Sequence, residues 1–199
     1  MNMNAKQTFN LYIPTKLLFG CGELKKLATE PMPGKKAMIV ISGGTSMKKY
    51  GYLDKVVGYL KENHIESVVF DKILANPIKQ HVMEAAAICR DEQCDFVVGL
   101  GGGSSIDSAK SIAVMACNTG DYWDYVVGGK GKPIQNHPLP IVAVTTTAGT
   151  GTEADPWTVI THETAHEKIG FGCPLTFPTI SIVDPELMVS IPPRFTAYQ

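Results

Sequence analysis

The sequence predicts an α/β fold built on a doubly wound, mainly parallel sheet. Apolar runs of strand length alternate with amphipathic runs of helix length, and the densest glycine cluster falls between one such strand and one such helix. No stretch approaches the ~20 apolar residues that a membrane span needs. With 199 residues and 44% hydrophobic content, the chain can bury one sizeable core and at most a fragment of a second domain. Its 18 basic and 19 acidic side chains leave a net charge of −1 and form no basic stripe, which argues against a nucleic-acid partner. Residues 1–7 are polar and lack a signal-peptide core, so the expected compartment is the cytoplasm, without a membrane partner. Cys21, Cys89, Cys94, Cys117 and Cys173 are odd in number, form no C-x-x-C and sit mostly in apolar contexts, the pattern of reduced, packed thiols.

Each element has its own signal. Residues 9–13 and 16–19, split by Pro14 and Thr15, read as a hairpin or two edge strands, and Gly20-Cys21-Gly22 opens a brief helix around Leu24 and Leu27. A strand over 37–41 leads to a helix over 47–63, amphipathic through Leu53, Val56, Val57 and Leu60. A strand over 67–70 leads to a helix over 77–92, for which Asn76 is placed as the cap and Pro77 as the first helical residue. The strand over 96–100 leads to a helix over 104–117 with Ile106, Ala109, Ile112, Ala113 and Ala116 on one stripe. Residues 121–138 are glycine- and proline-rich without a period, a loop long enough for a surface or ligand-covering role. Strands over 140–145, 157–161, 168–171 and 179–183 follow, and Pro192-Pro193 marks a new element.

Among these pieces, Gly101-Gly102-Gly103-Ser104 carries the strongest chemistry. Ser104 with Asp107 three residues on reads as a capping box, so a helix starts directly after three glycines. Unpaired amides at such a start carry partial positive charge, and glycine lets an anion approach the backbone, which makes a diphosphate seat at the end of a parallel strand. The other reading is a tight connection without ligand, for which one glycine would suffice. Thr145, Thr146, Thr147, Thr150, Thr152 and Thr158 form a hydroxyl-rich loop after a buried strand, a position that lines ligand crevices. Gly43, Gly44, Thr45 and Ser46, followed by Lys48 and Lys49, occupy the place where an acidic residue would meet a ribose 2′-hydroxyl. Hydroxyls and lysines there suit a 2′-phosphate; an ordinary helix start capped by Thr45 or Ser46 fits as well.

Two further matches fail on context. His162-Glu163-Thr164-Ala165-His166 spells H-E-x-x-H but lies between two strand-like runs, so it reads as a hairpin turn rather than a zinc-protease helix. Gly149-Thr150-Gly151-Thr152-Glu153-Ala154 spells G-x-G-x-x-A, yet Pro156 and β-formers follow instead of a helix. No G-x-x-x-x-G-K-[ST] occurs, which removes P-loop phosphotransfer.

In this order the pieces resemble the amino-terminal half of the iron-containing (group III) alcohol dehydrogenases. The resemblance is carried by Gly101-Gly102-Gly103-Ser104-Ser105-Ile106-Asp107-Ser108-Ala109-Lys110, by Asn76-Pro77, by Thr146-Thr147-Ala148-Gly149-Thr150-Gly151-Thr152-Glu153, and by Asp184-Pro185-Glu186-Leu187 with Pro192-Pro193. The first run is shared with glycerol dehydrogenases and dehydroquinate synthases, which stand as alternatives beside a lone nucleotide-binding module; the threonine run is what resembles the alcohol branch. The resemblance implies a Rossmann-like nucleotide-binding domain over 1–188 and the start of an all-helical, metal-binding domain over 189–199. It implies NAD(P) as cofactor, Fe2+ or Zn2+ in the whole enzyme, a small alcohol or aldehyde as substrate, and a homodimer. Gly44 stands where many NAD-specific members have an aspartate, which points to NADP. By position, Gly102, Gly103 and Ser104 would hold the pyrophosphate, Thr146, Thr147 and Thr150 would line the path to the nicotinamide, Asn76 would lie at the ribose side and Lys168 near the cofactor. Asp107 and Lys110 would support the site. The family's metal ligands, one aspartate and three histidines, follow the lead-in matched by Thr196-Ala197-Tyr198-Gln199. The resemblance therefore implies no catalytic or metal-binding residue in this chain, and no alcohol oxidation by it alone.

Overall fold

The structure, a computed structural model, describes residues 8–198; the polar stretch over 1–7 and Gln199 lie outside them. Six strands form one parallel sheet: β1 (Lys16–Phe19), β2 (Lys36–Ser42), β3 (Glu66–Ile73), β4 (Phe96–Gly101), β5 (Ile141–Thr145) and β8 (Ile180–Val183). They are ordered β1-β8-β5-β4-β2-β3. The sequences of β2 (KAMIVIS), β4 (FVVGLG) and β5 (IVAVT) are continuous apolar runs, which belong in strands covered on both faces. One cover consists of α3 (Lys79–Asp91) and α4 (Gly103–Cys117), through Val82, Ala85, Ala86, Ala109 and Ile112. The other consists of a 3-10 turn (Glu23–Ala28) and α2 (Tyr52–Glu62), through Leu24, Leu27, Leu53, Val56 and Leu60. A separate antiparallel hairpin, β6 (Thr158–His162) with β7 (Glu167–Phe171), lies against α4.

This arrangement makes a switch point. The chain leaves β2 through α2 on one face and moves to β3, but leaves β4 through α4 on the other face and moves to β5. The carboxyl ends of β2 and β4 therefore diverge, and a crevice opens above them.

Four sequence expectations are corrected. Residues 9–13 form no strand, and β1 pairs in parallel with β8 instead of forming a hairpin, because its amide ladder runs to Thr179 and Val183. The expected helix over 47–63 is two, α1 (Ser46–Lys49) and α2, parted where Gly51 adopts φ +70°, a left-handed turn that glycine takes freely. Asn76 and Pro77 do not start α3; its first turn begins at Lys79 after an extended Ile78. The loop over 121–138 keeps the expected surface role only at 127–133, which lie exposed; Tyr122 and Val126 are fully buried in the core, and the loop lines neither cleft described below. The turn containing His162 to His166 joins β6 to β7, as the hairpin reading expects.

Candidate functional site

The crevice is a cleft of about 630 Å³ whose floor is the turn from β4 into α4. At Gly101 the backbone takes φ +141°, and a Cβ there would sit 2.7 Å from the Ser105 hydroxyl, so only glycine fits. Below it, a Cβ on Gly99 would meet the Ile106 backbone at 2.9 Å, which is how closely α4 seats on β4. The amides of Ser105 and Ile106 both donate to the Gly102 carbonyl, at 3.0 and 3.3 Å. Gly103 and Ser104, ahead of them, carry the orphan amides of a helix start and line the cleft.

The capping box is not formed. Gly102 is the N-cap and gives no side-chain cap. The Ser104 hydroxyl instead donates to the Ala75 carbonyl at 2.6 Å, and the Asp107 carboxylate turns inward to accept from the Thr152 hydroxyl (2.7 Å) and the Val159 amide (3.0 Å). Partners distant in sequence outbid the local cap and leave the first amides of α4 open.

The threonine loop closes over this floor. Thr146 donates its amide to the Gly101 carbonyl at 3.0 Å, continuing the β4–β5 ladder, and the Thr145 hydroxyl donates to the Thr147 carbonyl at 2.9 Å. A Cβ on Gly102 would lie 3.2 Å from Thr147, and one on Gly103 would lie 3.1 Å from Thr150. Thus the second and third glycines also let the threonines pack onto the turn. The Thr147 hydroxyl is buried without a hydrogen-bond partner among the described residues, and buried hydroxyls are normally satisfied. An orphaned hydroxyl beside an open helix start, in a turn stripped of Cβ atoms, fits the phosphates and ribose of a dinucleotide.

The flank of α4 is the reverse case. The Lys110 side chain is fully buried, and its ammonium donates to the Thr152 hydroxyl (2.8 Å), the carbonyls of Asp155 (2.9 Å) and Trp157 (2.8 Å), and the Asp155 carboxylate (3.1 Å). Burial pulls the Lys110 pKa below its ordinary value against the opposing pull of Asp155, and burial pushes Asp107 up against the hydrogen bonds it accepts. The Ser111 hydroxyl completes this layer with Thr158 (2.7 Å) and Tyr122 (3.0 Å), and burial raises the Tyr122 phenol. These bonds anchor the segment over 152–159 and, through it, the threonine loop.

A second cleft of about 330 Å³ shares Ala75, Gly103, Ser104 and Thr150 with the first. It brings Asn76, Asp107 and Lys168 together, and the Lys168 ammonium donates to Asn76 Oδ1 at 2.9 Å. Of the sequence-derived candidates, Ser46, Gly101, Gly102, Gly103, Ser104, Thr146, Thr147 and Thr150 line the main cleft. Gly43, Gly44 and Thr45 line neither; Gly43 bonds its amide to the Ile73 carbonyl at 2.9 Å and lies over Asp71. Lys48 pairs with the Asp71 carboxylate at 2.5 Å, and Lys49 lies over the Tyr50 ring at 5.6 Å.

Sequence reasoning missed the far wall of the main cleft, made by Met47, Tyr50, Leu187, Ser190, Ile191 and Phe195. Asp184 holds that wall in place by accepting from the Leu24 and Glu186 amides, each at 3.0 Å. Its visible signals are Asp184-Pro185-Glu186-Leu187 and Pro192-Pro193, to which the sequence assigns no place in the cleft. Among the described residues, no three His, Cys, Asp or Glu side chains converge. His162 instead stacks edge-on against Trp123 at 4.8 Å and meets Lys79 at 3.3 Å.

Comparison with known proteins adds an independent finding. The family model described as iron-containing alcohol dehydrogenase matches residues 14–185. A choline dehydrogenase of Bacillus subtilis is 39% identical across 99% of this chain and 49% of its own length. A probable NADH-dependent butanol dehydrogenase of the same organism is 38% identical across 96% of this chain and 49% of its own. The crystal structure of an NADH-dependent butanol dehydrogenase from Thermotoga maritima superposes with a TM-score of 0.89 at 36% identity, over 96% of this chain and 48% of that one. The chain spans about half the length of the relatives it matches.

Proposed function

The chain belongs to the iron-containing alcohol dehydrogenase family, and from that premise we propose that it is the cofactor-binding half of an enzyme passing a hydride between a small alcohol or aldehyde and NAD(P). The observation that carries the proposal is the open start of α4 beneath the buried, unbonded Thr147 hydroxyl, at the switch point of a parallel sheet. The amides of Gly103 and Ser104 take the pyrophosphate oxygens, whose charge the helix start favours. Gly101 and Gly102 keep the approach free of side chains, Thr146, Thr147 and Thr150 offer hydroxyls along it, and Asn76 with Lys168 closes the second cleft. Bound there, the dinucleotide supplies the hydride acceptor or donor. Asp107 and Lys110 hold the loop that carries the threonines.

In this proposal residues 1–188 are the dinucleotide-binding unit, 189–199 belong to the metal-binding one, and iron or zinc is held by residues other than those described. The chain alone is expected to oxidise no alcohol. The whole enzyme is placed in the cytoplasm as a homodimer, acting on no nucleic acid and no membrane; no described helix is long and apolar enough to cross one. The alternatives on the same fold, a glycerol dehydrogenase-like or a dehydroquinate synthase-like enzyme, draw less support from a family match to the alcohol branch.

Fluorescence titration with NADH tests the proposal. Wild type should bind, and Gly102→Val, whose branched side chain enters the space before Thr147, should bind at least about tenfold more weakly with unchanged circular dichroism, a loss of about 1.4 kcal/mol. Equal affinity in the two proteins would refute the assignment.

A further inference from the structure

The loop after β2 has no acid for a ribose 2′-hydroxyl, yet an acid stands beside it. β2 and β3 slip register between Val40 and Ser42: Val40 pairs with Phe70 and Ser42 with Ile73, so β3 carries one extra residue there. The extra residue lets Phe70 and Ile73, three apart, both reach the same core, and it turns Asp71 out to the end of the strand. Bulges commonly re-aim a side chain next to a site in this way. Gly43 lies directly over it, since a Cβ at Gly43 would be 3.4 Å from the Asp71 carbonyl.

The charges around this point are already sorted. Lys72 is committed elsewhere, to Glu84 at 2.5 Å and over the Phe70 ring. Lys48, on α1 directly after the glycine loop, reaches back to Asp71 Oδ2 at 2.5 Å, and both partners remain about half exposed. The Lys48 hydrogen bond is the largest influence holding the Asp71 carboxyl below its ordinary value, so Asp71 is a carboxylate at neutral pH. Lys48 is therefore not a free phosphate donor, while Lys49 lies over the exposed Tyr50 ring at 5.6 Å.

We propose that Asp71 and Lys48 are a specificity pair for the 2′-substituent of the dinucleotide: the neighbouring strand supplies the acid that the loop after β2 lacks, and that acid holds the cation a 2′-phosphate would need. The inference rests on the dinucleotide reading above. A 2′-hydroxyl leaves the pair intact and can donate to the Asp71 carboxylate. A 2′-phosphate has to draw Lys48 off Asp71 and tolerate the carboxylate that remains. Removing the acid thus frees the cation for the phosphate, and removing the cation leaves the acid to repel it.

The test is the ratio of NADPH to NADH affinity, read by fluorescence titration of the chain at low and high salt. Asp71→Asn should shift the ratio toward NADPH by about fivefold and Lys48→Met toward NADH by a similar factor, the range open to exposed charges. Both shifts should shrink at 0.5 M salt, as about the ionic strength that shortens the screening length to a few ångströms. A purely structural pair would weaken both dinucleotides equally and leave the ratio where it was, which would overturn the inference while the dinucleotide reading survives. If the wild-type chain binds neither dinucleotide, both readings fall together.

Discussion

At its amino terminus α4 presents bare backbone to an open cleft, whereas one turn later its flank presents Asp107, Lys110 and Ser111 to a segment that answers each of them. Both regions are polar, and both sit beside the same threonine loop. At the front, orphan amides and the Thr147 hydroxyl have no partner among the described residues, and the glycines keep side chains away. On the flank, a buried ammonium has four acceptors within 3.1 Å. The difference teaches how to sort a motif such as G-G-G-S-x-x-D-x-x-K: residues whose hydrogen bonds are satisfied within the protein build the site, and groups left unsatisfied at its mouth receive the ligand.

The sharpest way to break this comparison is to empty the flank. Lys110→Met removes a buried cation and strands the carbonyls of Asp155 and Trp157 and the carboxylate of Asp155. Breaking a buried network from one side costs about 3–5 kcal/mol, so a urea titration should show the largest loss of any variant considered. A loss below about 1 kcal/mol would mean that water replaces the ammonium and that the flank is no more structural than the front.

Changing the front should cost less stability. Gly101→Ala places a side chain at φ +141° and 2.7 Å from the Ser105 hydroxyl, which should cost about 1–3 kcal/mol. Dinucleotide affinity should fall as well, because the strain falls on the turn that aims the first amides of α4. Stability unchanged within about 0.5 kcal/mol would show that the turn can relax.

How much of this contrast could be read in the sequence depends on the range of the interactions. Apolar runs placed all six strands of the main sheet: burial on both faces writes β2, β4 and β5 directly into composition, and the short apolar runs of β8 and of the edge strands β1 and β3 sufficed for the rest. The glycine turn was legible for the same local reason. The Ser104–Asp107 box was misread because Ala75, Thr152 and Val159, the partners that claim these side chains, lie 29, 45 and 52 positions away. Asn76 was read as a helix cap, but its carboxamide faces Lys168 across 92 positions. The break at Gly51 leaves only a glycine inside an amphipathic run as its trace, and a lone glycine does not by itself end a helix. The far wall, from Leu187 to Phe195, gave no periodic signal, because short turns placed by Asp184 and Pro192 have none.

The wet edge of the same clamp should show the smallest effect. The segment that Lys110 anchors leads into the β6–β7 hairpin, which meets α3 through Lys79, whose ammonium reaches Asp121 Oδ2 at 2.8 Å and His162 at 3.3 Å. Burial alone would raise the Asp121 carboxyl, but the Lys79 hydrogen bond and the Trp123 amide outweigh it and hold it below the ordinary 3.8. Because the folded value is the lower one, the unfolded chain binds the proton first as pH falls. The pair's contribution is therefore complete well above pH 3.8 and is lost as the pH drops through the folded value. Asp121→Asn keeps an oxygen for the Trp123 amide and removes only the charge. With the carboxylate side chain 44% exposed, screening should hold the cost below about 1 kcal/mol at pH 7. In urea titrations from pH 7 to pH 3, the curves of wild type and variant should converge at the acid end and stay parallel above pH 5. A cost above about 2 kcal/mol at pH 7 would place this ion pair with the buried network of Lys110 and dissolve the distinction between the clamp's dry and wet sides.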